Sequence, residues 1–440
     1  MRIKHNIYYS SAVEGDLGAI LGSPHYSYRF AESKFMRLLS QKRLSAAKLV
    51  MPEFYSEASS LPASIYTKGL PHVHLIFRST EQIRLLKFAT NISCFAWEFP
   101  VLKDHTDIDE HPFLNQKRML GLCDEVWVPC AYTRNTLLAH GLQNVHVVPA
   151  PIEIPNTRRT LRFDSLSKLG TSVIVPLYYN FLRSHSENRK ISAEHRDTLK
   201  NYITARLRKN RDLRIYLSIL NPEDFRKNLD ALIRAFDLFS RDRDDVILIL
   251  KVVTSSVRFD LLDVVANVIP NKLASGSAFS CDNIVIFNDF LSDVEMRYIF
   301  KLADYYICTS ICEGQNLPLL EAMAHGVVPI STVHTAMADY LSAENSIVID
   351  DCEVPNDIPF LAGCVAGRPF SIRRSRVQDI LVALEKSSKL KPNGYETLAS
   401  NARRTVTKIY SPEAVWTKIL DRLANLGAVE TRHVSHRHQK

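Results

Sequence analysis

Between residues 305 and 332 the sequence reads as strand, glycine turn, short helix and strand, and this unit commits the chain to a parallel α/β sheet. Residues 305–310 are apolar and aromatic. The turn follows as Glu313-Gly314-Gln315-Asn316-Leu317. Pro318 suits a first helical position, where its missing N–H costs nothing, and Gly326 suits the helix end. A second apolar run, 327–332, closes the unit. A strand that delivers a glycine turn to a helix N-terminus builds an anion site, because free backbone N–H groups and the helix dipole point at the ligand. Glu313 and Glu321 flank that site, so carboxylates can grip sugar or ribose hydroxyls while the amides hold phosphate. Read without a ligand, Glu321 is simply an acid that favours the first turns of a helix.

The same alternation runs through most of the chain. Strand-like runs lie at 6–10, 48–52, 72–77, 91–97, 125–129 and 145–148, with helical patterns at 27–41, 80–87, 113–120 and 132–140. A second series has strands at 214–219, 246–252, 283–288, 305–309 and 327–331, and helices at 229–239, 293–303 and 318–325. A last helix is expected over 412–426. At 440 residues the chain is long for one core. The expected division is a Rossmann-like domain over 1–156, a linker or embellishment over 157–210, and a second Rossmann-like domain over 211–410. A helix over 411–428 then crosses back, and 429–440 reads as a disordered tail. The apolar run 172–178 and a helix over 193–208 interrupt the polar and basic 157–210 segment.

Composition narrows the function classes. Apolar content of 46% and charged content of 23% are those of an ordinary globular protein. No run approaches the roughly 20 apolar residues that span a bilayer, and the N-terminus carries no apolar signal core. The eight cysteines are scattered without zinc or redox spacing, which suits a reducing, cytoplasmic setting. The formal charge of +8 favours polyanionic partners: nucleotide phosphates, acidic glycans, anionic lipid or nucleic acid.

Cations are supplied in the right place by Asp224-Phe225-Arg226-Lys227-Asn228-Leu229, which follows the strand 214–219 and opens a helix. Basic residues at a helix start oppose its dipole, and an anionic ligand accounts for them. The alternative is a solvated loop with two surface cations.

Taken together, Glu-x7-Glu enclosing Gly-x-x-x-Pro, then Glu321-Ala322-Met323-Ala324-His325-Gly326 and Pro329, resembles the signature of retaining glycosyltransferases of family 4, which have the GT-B fold. Arg226-Lys227-Asn228-Leu229 with Leu232-Ile233-Arg234-Ala235-Phe236 resembles the family's diphosphate-binding segment. The resemblance implies two Rossmann-like domains facing a cleft, with a nucleotide-diphosphate sugar bound by the second. It implies Glu313, Lys227 and Arg226 at the reaction centre, Glu321 on the ribose, and Gly314, Gln315, Asn316 and Leu317 on phosphate and sugar. The family's Gly-Arg element is missing, with Ser218-Ile219 in its place, and Asn316 stands where a second glycine is common.

The first domain is expected to bind the acceptor. Trp97 and Glu98 end one of its strands, and Gly18 lies in a glycine-bearing loop over 15–23 that reads either as a flexible loop facing the cleft or as a plain surface loop. Glu98 reads equally as a cleft acid or as half of a structural ion pair, and Trp127 as core. The resemblance alone implies that the acceptor is a glycan or lipid-linked glycan of a bacterial surface pathway, and the charge of +8 adds an expected peripheral contact with anionic membrane at the inner face. No cofactor and no metal are expected. Asp107-Ile108-Asp109 mimics a metal motif, but it follows a polar segment in the domain that does not hold the donor. A nucleotide-sugar epimerase, a non-catalytic scaffold of the same fold and a basic nucleic-acid-binding protein are the rival readings. Nucleic acid is disfavoured because the arginines are spread and not interleaved with aromatics on one surface.

Overall fold

The computed structural model describes residues 5–11, 26–103, 112–156, 165, 173–176, 197–253, 283–287, 291–356 and 370–437. Gly18 with the 15–23 loop, Asp107 to Asp109, and most of 157–196 lie outside the described residues.

The first domain runs β1 (Asn6–Ser11), α1 (Tyr26–Gln41), β2 (Ala46–Lys48), β3 (His72–Phe77), β4 (Thr90–Cys94), α2 (Gln116–Gly121), β5 (Glu125–Val128), α3 (Ala131–Ala139) and β6 (Val145–Val147). Its strands form one parallel sheet in the order β2-β1-β3-β4-β5-β6. In β3 the side-chain period of two sends Val73, Leu75 and Phe77 towards Phe35 and Leu38 of α1, and Ile76 to the opposite face. Burial on both faces is why such strands read as near-continuous apolar runs. The helix expected over 80–87 is absent: only Thr80–Gln82 makes a 3-10 turn. Side chains take over the backbone there. Asn91 accepts from Leu86 N and donates to the carbonyls of Leu86 and Ala89, and Arg78 donates to Gln82 O.

Part of the 157–210 segment, read from sequence as linker plus an embellishment of the second domain, joins the second sheet. β7 (Val173–Pro176) and β8 (Asp197–Thr198) add to one side of the second sheet in antiparallel pairing, with β8 at its edge, and α4 (Leu199–Lys209) buries Leu199, Ile203 and Leu207 in the second domain's core. There follow β9 (Arg214–Leu220), α5 (Leu229–Ser240), β10 (Val246–Val252), β11 (Ile284–Phe287), α6 (Asp293–Leu302), β12 (Tyr305–Cys308), α7 (Leu317–Ala324), β13 (Val328–Ser331) and β14 (Ile347–Val348). The sheet order is β14-β13-β12-β9-β10-β11-β7-β8. The hairpin β15 (Cys352–Pro355) and β16 (Ser371–Arg374) and the helices α8 (Val377–Ser388) and α9 (Pro392–Tyr410) complete the domain. Neither helix stands out in the strand–helix alternation, although Ile380, Ala383 and Leu384 have helical spacing and pack on α5's cluster.

α10 (Pro412–Arg437) returns to the first domain, where Val415, Ile419 and Leu423 pack with Phe35, Leu38 and Trp127, and Arg422 pairs with Glu125. The helix continues to Arg437, past the expected end at 428 and into the expected tail. No proline follows Pro412 in this stretch to stop it.

Candidate active site

The order of the second sheet reverses between β9 and β12: the chain leaves β9 for β10 and β11 on one side and returns to β12 on the other. Such a switch point opens a crevice beyond the carboxyl ends of the strands, where open α/β sheets bind ligands. The loop after β9 carries Lys227 and the loop after β12 carries Glu313, so the two residues face each other across that crevice. Lys227 Nζ donates to Glu313 Oε1 at 2.6 Å, and Ser310 Oγ donates to the same oxygen at 2.7 Å. Glu313 N donates to Thr335 Oγ1 at 3.1 Å. Burial pushes the Glu313 carboxyl up, but the charges of Lys227 and Arg226 and hydrogen bonds from Lys227 and Ser310 outweigh it and hold the group below its ordinary range. The buried carboxylate is therefore ionised.

Backbone geometry at the turn is what the sequence requires. Asn316 adopts the left-handed conformation (φ 60, ψ 67) at the N-cap of α7, a region that asparagine tolerates better than most residues. Its Oδ1 accepts from Leu319 N at 3.3 Å, and its Nδ2 donates to Cys308 Sγ at 3.1 Å. Pro318 sits in the first turn of α7. The N–H groups of Gln315, Asn316 and Leu317 have no acceptor among the described residues, which leaves a cradle for an anion at the N-terminus of α7. Thr335, a β-branched residue at φ 50, is strained, and its hydroxyl supports the Glu313 backbone.

The first domain closes this crevice. A Cβ on Gly314 would lie 3.5 Å from Ala96 Cβ and 3.7 Å from Glu98 Oε2, so the turn and the end of β4 are in contact. Arg226 donates to Glu98 across the cleft and to Asp224 within its own loop, at 2.9 Å from Nε and 2.6 Å from Nη2. Arg226 thus joins the two domains and leaves only part of its N–H fork for a ligand. Lys34 Nζ, on α1, donates to Glu321 Oε1 at 2.5 Å. Gln315 makes two bonds with the Ala150 backbone, accepting from N at 3.1 Å and donating to O at 2.9 Å. Its side chain is a staple between domains, which leaves only its backbone N–H for a ligand.

The sequence-derived residues divide accordingly. Glu313, Lys227, Gly314, Asn316 and the start of α7 at Leu317 converge on one crevice, with Glu321 further along α7. Glu98 is at the cleft and belongs to an ion pair, so both of its expected readings meet in one contact. Trp97 does not offer its ring to an acceptor. It is buried, stacks near Phe95, meets Phe99 edge-on, and donates from Nε1 to Val101 O at 2.8 Å. β4 ends at Cys94, short of the expected 97, and in the segment beyond it Phe95, Trp97 and Phe99 all pack into the first domain's core. Lys34, Ser310, Asp224 and Thr335 are site residues that the sequence reading passes over. Asp224 carries a local signal as an N-cap two residues before Arg226. Lys34 carries none, because its partner is reached only through the tertiary fold.

Among the described residues no group of three or more His, Cys, Asp or Glu is arranged to hold a metal ion. None of the described helices is long and apolar enough to cross a membrane.

Comparison with known proteins agrees with this architecture. Residues 215–358 match the family model described as glycosyl transferases group 1. No curated protein matches the chain by sequence. Sucrose-phosphate synthase from Thermosynechococcus elongatus superimposes with a TM-score of 0.57 at 13% identity, covering 96% of this chain and 100% of that one. A glycosyltransferase from Rickettsia africae ESF-5 gives 0.51 at 13% identity, covering 96% and 98%. TarM of S. aureus is more distant, with a TM-score of 0.47 at 13% identity, and this chain spans 55% of its length. At these identities the likeness is one of fold, and the fold is GT-B. Its second domain carries the glycosyltransferase match, and the site described above falls within the matched residues apart from what the first domain contributes.

Proposed function

We propose that this glycosyltransferase moves a sugar from a nucleotide-diphosphate donor to a glycan or lipid-linked acceptor, with retention of anomeric configuration. The observation that carries the reading is the Lys227–Glu313 pair at the switch point, set beside the open amides of the turn before α7. Lys227 and the amides are suited to the diphosphate, whose charge grows as the nucleotide departs. Positioned cations and dipoles meet that charge without covalent chemistry. Glu313 is suited to the donor sugar's hydroxyls, and Glu321 to the ribose.

Glu313 is poorly suited to act as a nucleophile. One of its oxygens already accepts from both Lys227 and Ser310. A double displacement through this carboxylate is therefore disfavoured, and the bond from the anomeric carbon to the β-phosphate oxygen breaks with its electron pair going to the phosphate. The acceptor hydroxyl forms the new bond and releases its proton. We assign no metal and no cofactor to this step. The acceptor side is formed by the first domain around the end of β4, near Glu98. A surface-polysaccharide or glycolipid acceptor at the inner face of an anionic membrane fits the charge of +8 and is part of the proposal.

The test is incubation with a panel of nucleotide sugars, following nucleotide release and binding, first for the native protein and then for Glu321→Gln. The reading expects one or a few donors to bind and Glu321→Gln to weaken them. A protein that binds none of them refutes it. Release of nucleotide with an altered free sugar and no acceptor would favour an epimerase.

A further inference from the structure

We propose that Lys34 of α1 is a positioning residue of the donor site: it fixes Glu321 for the ribose and completes the site's charge only when the two domains face each other. The inference rests on the donor-site reading above.

Lys34 Nζ donates to Glu321 Oε1 at 2.5 Å, with side chains only 13% and 19% exposed. The Phe30 ring lies 4.8 Å from the same ammonium. One turn further along α1, Arg37 donates to Asp293 Oδ2 at 2.6 Å, so this face of α1 carries two cations turned to the second domain. Each acid of the Glu313/Glu321 pair therefore holds a lysine, but the lysines differ in origin. Lys227 belongs to Glu313's own domain and stays with it however the domains move. Lys34 belongs to the first domain and reaches Glu321 only across the cleft.

Two bare carboxylates beside an anion cradle would repel a nucleoside diphosphate. Lys227 removes that obstacle on one side and Lys34 on the other. Lys34 also leaves room for the ligand. A carboxylate has about four lone-pair sites, and Glu321 Oε2 has no partner among the described residues, so a ribose diol can be accepted while the bridge persists. The bridge therefore supports donor binding and does not compete with it. It also makes a complete donor site conditional on domain closure.

The experiment compares Lys34→Ala, Lys34→Arg, Glu321→Gln and the Lys34→Ala/Glu321→Gln double variant of the full chain. It reads calorimetric binding of UDP, GDP and ADP, and KM and kcat with the matching donor. The expected result is a loss of about tenfold in nucleoside diphosphate affinity for Lys34→Ala, a charge-assisted bond removed. Donor KM should rise in step, kcat should stay within about twofold, and Lys34→Arg should recover most of the affinity. The double variant should bind no more weakly than Glu321→Gln alone. Unchanged or tighter binding by Lys34→Ala would make the bridge a latch and overturn the proposal. So would an equal loss in both backgrounds, or a loss confined to kcat. Native protein that binds none of the three nucleotides overturns the donor-site reading, and this proposal with it. Native binding that Lys34→Ala leaves intact overturns this proposal alone.

Discussion

Lys227 Nζ and Glu313 Oε1 lie 2.6 Å apart, each in the loop that follows one of the two strands, β9 and β12, between which the second sheet reverses its order. The lysine lets a buried carboxylate remain ionised, and the carboxylate holds the lysine at the mouth of the crevice. A ligand phosphate arriving at the open amides of the following turn would meet this lysine already in place.

Replacing that lysine should reveal its role. Lys227→Ala removes a charge-assisted contact in a closed cleft, which costs about 3–4 kcal/mol, or roughly 10²–10³ in turnover. It also leaves Glu313 buried without its main counter-charge, so the carboxyl should titrate higher. Steady-state kinetics with the donor found by the panel checks the first effect. Turnover at the native rate would remove Lys227 from the site.

Gln315 should matter for stability and domain registry more than for the donor. Gln315→Ala orphans the N–H and the carbonyl of Ala150, both buried, at about 2–4 kcal/mol in all. Denaturant melts should show that loss. Nucleoside diphosphate affinity at a temperature where the variant is folded should change far less than in Glu321→Gln.

Acid should destabilise the first domain through His74. This imidazole is fully buried between Ser10 Oγ at 2.9 Å and Asn91 Oδ1 at 3.1 Å, and burial pushes its pKa down to about 4 from an ordinary 6.5. Because the folded value lies below the unfolded one, the unfolded chain takes up the proton first. Stability is therefore complete above about pH 6.5 and falls as pH drops towards 4, by about 2 kcal/mol at pH 5. Thermal melts from pH 7.5 to 4.5 measure the slope, and His74→Gln should flatten it at the cost of stability at neutral pH. A native slope that His74→Gln leaves unchanged would assign the effect to other groups.

Turnover should survive excess chelator. Phosphate charge is assigned to Lys227 and to the start of α7, so neither magnesium nor manganese should be needed. Activity lost to chelator, restored by either ion and also lost in Asp107→Ala would reverse this assignment.

Peripheral membrane contact, if it accompanies the lipid-linked acceptor, should depend on charge. Flotation with anionic liposomes should carry the protein at low salt and release it as salt rises, because surface charge is screened within about 10 Å at 0.1 M. Absence of co-flotation at low salt counts against that part of the proposal.

Local patterns explain why so much of the architecture was legible in the chain. β3 and β10 begin and end where the apolar runs at 72–77 and 246–252 do, since a strand buried on both faces leaves a continuous signature. Asn316 and Pro318 could be assigned to a turn and a helix start because capping and backbone strain act over three or four residues. The Lys227–Glu313 meeting was implied in the chain only by the family resemblance; strand alternation does not fix sheet order, and the switch point that brings the two loops together is a feature of the folded sheet. Tertiary structure alone decided the rest. Whether Trp97 meets a ligand or the core depends on how the segment beyond β4 packs against the rest of the first domain. Whether Gln315 holds phosphate or Ala150 depends on how close the first domain lies. Lys34 and Glu321 stand 287 positions apart, and no local rule couples an exposed-looking helical lysine to a carboxylate in another domain. That contact exists because two separately folded sheets turn the carboxyl ends of their strands towards each other.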